Sequence, residues 1–225
     1  MRQKLSTITT GLFVVTSLVV SASAQTSEST RYEPDLSASR LTVDGTSTVH
    51  DWTLESQVVR GELIVHDIDA TALGTSGRTF PQPLSATVRV EILVDSLKSD
   101  NSGLNRRMYE ALKADSHPMI TYRLERAELQ AGQAADEDGS EGSLLVATSG
   151  VLTVAGVDRT MDIPMQVARL PADGLRVSGE TSLRMTEFGI EPPRVMLGFL
   201  RTGDTVKVRW TWVLVPRRND GPDER

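Results

Sequence analysis

The chain has no cysteine, only three histidines in 225 residues, 4% aromatic side chains and fewer basic than acidic groups. Missing cysteine excludes disulfides, a thiol nucleophile, a thiolate metal site and a thioether-linked lipid anchor, so packing and sheet hydrogen bonds must hold the fold. His50, His66 and His117 sit on separate segments, and no pair has the close helical spacing of a zinc site, so no metal is expected. No Gly-x-Ser-x-Gly elbow, phosphate-cradling glycine loop or dinucleotide fingerprint occurs. His50 and Asp51 are adjacent, but neighbouring residues of an extended strand point to opposite faces, and no nucleophile accompanies them. A structural polar cluster near Gly45 to Ser47 is the plainer reading, and the chain is not expected to be an enzyme.

The formal charge is −6, with 24 bases and 30 acids. An acidic surface disfavours nucleic acid or anionic headgroups as main partners. Arg2 and Lys4 precede the mostly apolar run Leu12 to Val20, and Ala22-Ser23-Ala24 is a small-residue cleavage pattern. That run is shorter than the ~20 apolar residues of a membrane span, and no later stretch replaces it. Residues 1–24 therefore read as a signal peptide, and the mature protein as periplasmic or secreted with no permanent membrane anchor. Residues 25–35 are polar and aperiodic and read as a flexible leader, and 217–225 as a polar tail.

Between them, from 36 to 216, period-two alternation dominates. Thr205 to Val215 places Val206, Val208, Trp210, Trp212 and Leu214 on one strand face, and Leu84 to Val94 does the same with Val88, Val90 and Ile92. Further strands are predicted over Arg40–Asp44, over Thr48–Val65 as two strands broken near Gly61, and over Met119–Gln130, Leu144–Val154, Arg159–Arg169 and Leu175–Met185. Gly45 is expected to allow a turn or bulge. Residues 67–83 and the acidic 131–142 read as loops, and Phe188 to Pro193 as a structured crossing loop. The period changes once: Leu104, Met108, Ala111 and Leu112 form one stripe of a helix capped by Asp100, Asn101 or Ser102 and ending before His117-Pro118. Eight or nine strands, one helix and short turns predict an all-β protein, an up-and-down antiparallel barrel, with a two-sheet sandwich as runner-up.

The segments Val43 to Trp52, Val88 to Leu112 with Ser116 to Tyr122, Gly150 to Gly156 with Arg159, and Glu187 to Pro193 occur in an order and spacing that resembles the YceI-like, polyisoprenoid-binding family of exported bacterial proteins. The resemblance implies an extended, eight-stranded lipocalin-like barrel with an apolar interior that holds an isoprenoid chain, such as a quinone or polyprenyl lipid. The candidate lining residues are Trp52, then Val88, Val90 and Ile92, then Met165, Trp210 and Trp212. Met161, Met165 and Met185 offer flexible thioethers that suit a long chain or fill core gaps. Arg106 and Arg107 either meet a headgroup at the mouth or belong to the helix's solvent face. Carriage or sequestration of an apolar lipid is the expected function. The alternative is an interaction or stress-response module with a side-chain-filled barrel and the acidic loop as its contact surface. A homodimer is compatible with either.

Overall fold

The computed structural model describes residues 29–48, 50–66, 82–135, 141–195 and 200–217. Residues 1–24, read above as a signal peptide, most of the segment 67–83 read as a loop, and the 217–225 tail beyond Arg217 lie outside the described residues. Twelve strands and one α-helix follow in chain order: β1 Ser29–Pro34, β2 Arg40–Ser47, β3 Trp52–Ser56, β4 Val59–His66, β5 Gln82–Pro83, β6 Ala86–Leu93, α1 Ser102–Ala111, β7 Met119–Ala135, β8 Glu141–Val154, β9 Val157–Arg169, β10 Leu175–Arg184, β11 Arg194–Val195 and β12 Leu200–Pro216.

All pairings are antiparallel, and they close a ring. β1 and β2 run in line along β12, with Pro34 opposite Leu214 and then Arg40 opposite Thr211, so together they form one stave. β3 and β4 form the next, pairing with β2 and β1 respectively. β6, β7, β8, β9, β10 and β12 complete eight staves, and the β1–β12 contact seals the last seam. The result is a closed up-and-down barrel, not a sandwich. Closure leaves no long sheet edge and turns every second side chain inward.

Two staves are interrupted, and polar side chains repair each break. At Asp35–Ser39 the buried Ser39 hydroxyl receives the Val213 amide at 3.0 Å and lies 2.7 Å from the Asp35 carbonyl. Between β3 and β4 the Ser56 hydroxyl accepts from the Val58 amide at 3.0 Å and pairs with Ser96 at 2.8 Å, while Glu55 and Lys98 exchange backbone hydrogen bonds. A buried polar backbone group without a partner would cost about 1–3 kcal/mol, which makes these serines part of the fold.

Several sequence expectations are corrected here. Ser29–Pro34, placed in the leader, is a strand because its amides and carbonyls complete the β4–β12 seam. The break in the 48–65 region falls at Gln57–Val58 and not at Gly61, which is inside β4 opposite Val90. Gly45 makes no turn, since it pairs with both Trp52 and Val206 and a Cβ there would fall within the Trp52 indole, but the expected bulge does follow it: the β2–β12 register shifts between the Gly45–Val206 and Ser47–Thr202 pairs. β7 and β8 extend into the expected acidic loop, to Ala135 and from Glu141, and Gln82–Pro83 pairs with β7 instead of joining the loop before it.

Helix α1 lies across one end of the barrel. Asn101 caps it, accepting from the Leu104 amide at 3.1 Å. Asn105 is locked to Ser99 by three hydrogen bonds, and the Tyr109 hydroxyl reaches the Asp95 and Leu97 carbonyls. The same end carries the two-residue Ala155-Gly156 turn and the crossing segment after β10. A 3-10 turn over Met185–Phe188 ends there in left-handed Gly189 and buries Phe188 and Ile190 beside Val154.

Candidate ligand-binding tunnel

The inward face of every stave opens on one cavity of about 990 Å³. Along β12 its wall runs from Thr202 to Pro216. That is roughly 45 Å of strand and, at the usual barrel tilt, roughly 35 Å of axis. The quotient is a mean section of roughly 30 Å², enough for one hydrocarbon chain at carbon contact distances of about 4 Å. The interior is a tunnel and not a packed core, which runs against the side-chain-filled alternative.

The wall is built from the alternation itself. Val88, Val90 and Ile92 from β6 line it, as do Trp210 and Trp212 from β12, Met165 from β9 and Trp52 from β3. All three tryptophans of the chain therefore face the same space. Room for these rings comes from small partners opposite them. Gly45 faces Trp52, and a Cβ at Gly179 would stand 2.5 Å from the Trp210 ring. Met185 also lines the tunnel, whereas Met161 packs into the Phe188 cluster.

Other lining residues were not singled out from the sequence. Tyr122 and Thr148 form a polar pair on the β7–β8 wall at 3.2 Å. The Thr148 hydroxyl donates to the Ile163 carbonyl at 2.6 Å, so its single proton is spent and Tyr122 is the donor between them. Phe188 and Ile190 close the helix end. Nothing in a period-two pattern identifies the first pair, and a loop assignment hides the second.

The buried indole N–H groups of Trp52 and Trp212 have no hydrogen-bond partner, and they are the only such buried side-chain atoms among the described residues. Charge enters the lining only at the two ends: Arg107 at the helix end, and Arg169 with Asp173 at the other, beside the exposed Ala172. The His50–Asp51 segment is exposed, and its contact is a backbone one: the Ser47 hydroxyl donates to the His50 carbonyl at 2.6 Å. That is a turn-closing cluster. No group of three or more metal-binding side chains occurs among the described residues, and no helix among them is long and apolar enough to cross a membrane.

Burial pushes the hydroxyls of all three tyrosines, Tyr32, Tyr109 and Tyr122, above their ordinary value of 10.0. A raised value means the folded protein keeps its proton when the unfolded chain has lost it. Stability is then complete below about pH 10 and falls as pH rises through the folded values. Urea midpoints should decline above about pH 10, and Tyr122→Phe should flatten that decline. A midpoint independent of pH in that range would contradict the burial of these hydroxyls.

An eight-stranded antiparallel barrel with a helix at one mouth and a continuous apolar tunnel is a lipocalin-like architecture. The chain belongs to the YceI-like domain family, whose model matches residues 32–214. Among solved structures it is similar to BcnA of Burkholderia cenocepacia, with a TM-score of 0.57 and 15% identity over 80% of this chain and 98% of that one. It is also similar to a polyisoprenoid binding domain from Saccharophagus degradans implicated in plant cell wall breakdown, with a TM-score of 0.58 and 18% identity over 83% and 98% of the two chains. At these identities the likeness is one of fold. No curated protein sequence matches the chain.

Proposed function

We propose that this protein is a periplasmic or secreted carrier that holds one isoprenoid or similar apolar lipid, of the quinone or polyprenyl kind, inside its barrel for carriage or sequestration. The observation that carries the reading is the tunnel: continuous, about 990 Å³, and walled almost entirely by aliphatic and aromatic side chains. Burying apolar surface contributes roughly 25 cal/mol per Å², so about 600 Å² of tail offsets even the ~15 kcal/mol upper range for lost freedom on association. Specific polar contacts are not required. The signal-peptide pattern supports export, and the polyisoprenoid binding activity named for the Saccharophagus domain supports the ligand class.

The three tunnel tryptophans make the test direct. A polyene isoprenoid such as retinol absorbs where tryptophan emits. Titration should quench the emission by energy transfer, saturating at one ligand per chain, and squalene should reverse it. Linear quenching without saturation, insensitive to squalene, would count against a tunnel site.

A further inference from the structure

We propose that Arg107 is the headgroup contact of the tunnel, so that the preferred guest is an amphiphile with an apolar tail and an anionic head, a carboxylate or a phosphate. This deepens the lipid-carrier reading and rests on it.

The residues of α1 and its C-cap that reach the tunnel are Leu104, Arg107, Met108, Ala111 and Leu112. They form one helical stripe at i, i+3, i+4, i+7 and i+8, the face that an amphipathic helix keeps apolar. Arg107 is the single charged member of that stripe. Arg106 and Arg107 are both exposed, but of the two only Arg107 reaches the tunnel. The stripe thus sets a guanidinium at the rim of an apolar channel, with an aliphatic stem that can follow the wall and a head that stays in water.

Arg107 has no ion-pair or hydrogen-bond partner among the described residues, although the acidic groups at this mouth are not equally free. Glu187 is paired with Arg184, and Asp204 accepts from both the amide and the hydroxyl of Thr186. Glu110, one turn further along α1, forms no bridge with Arg107, and Asp51 is on the turn between β2 and β3 at the same end. At the opposite mouth Arg169 likewise makes no ion pair among the described residues, but an acid, Asp173, lines the same rim. The helix mouth is therefore the one whose lining carries a cation and no acid.

The net negative charge of the chain does not oppose this strongly. Charges more than a Debye length of about 8 Å away are largely screened at physiological salt, whereas a guanidinium in contact with an oxyanion makes a charge-assisted, bidentate hydrogen bond. A tail in the tunnel would hold the head at the rim, so the ion pair need not support binding by itself.

The test compares two probes with the same tail, geranylgeranyl phosphate and geranylgeraniol, each displacing retinol from the purified full chain. The wild-type protein should prefer the phosphate by about 3–10-fold, the range expected of a partly exposed charge pair. Raising salt should reduce that preference. Arg107→Gln should abolish it while leaving the alcohol's affinity within about twofold, since the tail contacts are unchanged. Arg106→Gln serves as the control and should keep the preference. Inorganic phosphate alone should displace nothing, which separates a lipid headgroup from free phosphate.

Equal binding of the two probes by the wild-type protein would overturn the assignment while leaving the carrier reading intact. So would a preference that survives Arg107→Gln, or one that is removed by Arg169→Gln instead. Failure of both probes to bind would defeat the carrier reading and this inference with it.

Discussion

A Gly61→Ala substitution is expected to lower the stability of the protein by about 2–4 kcal/mol, or roughly 5–15 °C in melting temperature for a chain of this size. Gly61 has φ of 135°, a region that side chains of L-residues do not reach without strain, and an added Cβ would collide with the Arg89 carbonyl of the next strand. The obstacle is backbone, so no rotamer change relieves it. Gly189 is the internal comparison. Its φ of 65° is ordinary left-handed space, and the nearest atom to an added Cβ is Val157 Cγ2 at 3.8 Å. Gly189→Asn should therefore lose less than about 1 kcal/mol. Equal, small losses at both positions would mean that β4 and β6 do not approach as described.

Val90→Trp should weaken binding of a long apolar probe by about tenfold or more while the barrel stays folded. Val90 lies in mid-stave, inward, between Gly61 of β4 and Tyr122 of β7, so an indole there projects across the tunnel. In a packed core the same change would cost about 1–3 kcal/mol in strain, whereas a hollow interior accepts the ring at the expense of the guest. Thr87→Trp on the same strand points outward and should leave binding unchanged. The two outcomes separate a tunnel from a core: a core gives an unstable Val90→Trp protein with no change specific to lipid, and a tunnel gives a stable one that no longer binds.

The alternation of β12 and β6 was legible because one face of each stave meets only apolar surroundings, and period two survives wherever the ladder is unbroken. It failed where the ladder is irregular. In β7 a register shift between Leu124 and Arg126 moves the inward set from Ile120, Tyr122 and Leu124 to Ala127 and Leu129. β1 escaped notice because Ser29 to Pro34 has no apolar alternation and is held by hydrogen bonds to strands distant in sequence. Gly45 was read as a turn or bulge and Gly61 as a break because glycine signals a turn and a close approach alike. Only the neighbouring strand, Trp52 for one and Arg89 for the other, distinguishes them.

The tunnel residues show the same division. All seven candidate positions, from Trp52 to Trp212, lie on the wall because each is on an apolar strand face. Whether that wall encloses a space was not legible, since a filled barrel would show the same pattern. The side chain of Arg107 illustrates the remaining gap. Its membership in the helix followed from spacing, but the rotation of α1 that sets it on the tunnel rim depends on Tyr109 and Asn105 gripping the 95–99 segment.

Native mass spectrometry of the full chain, delipidated by refolding and then incubated with a bacterial membrane lipid extract, addresses the hollow interior most directly. A single adduct of one lipid mass per chain, absent from Val90→Trp, is the result expected of a tunnel one chain wide. A spectrum showing only the bare protein across a range of lipid concentrations would contradict it.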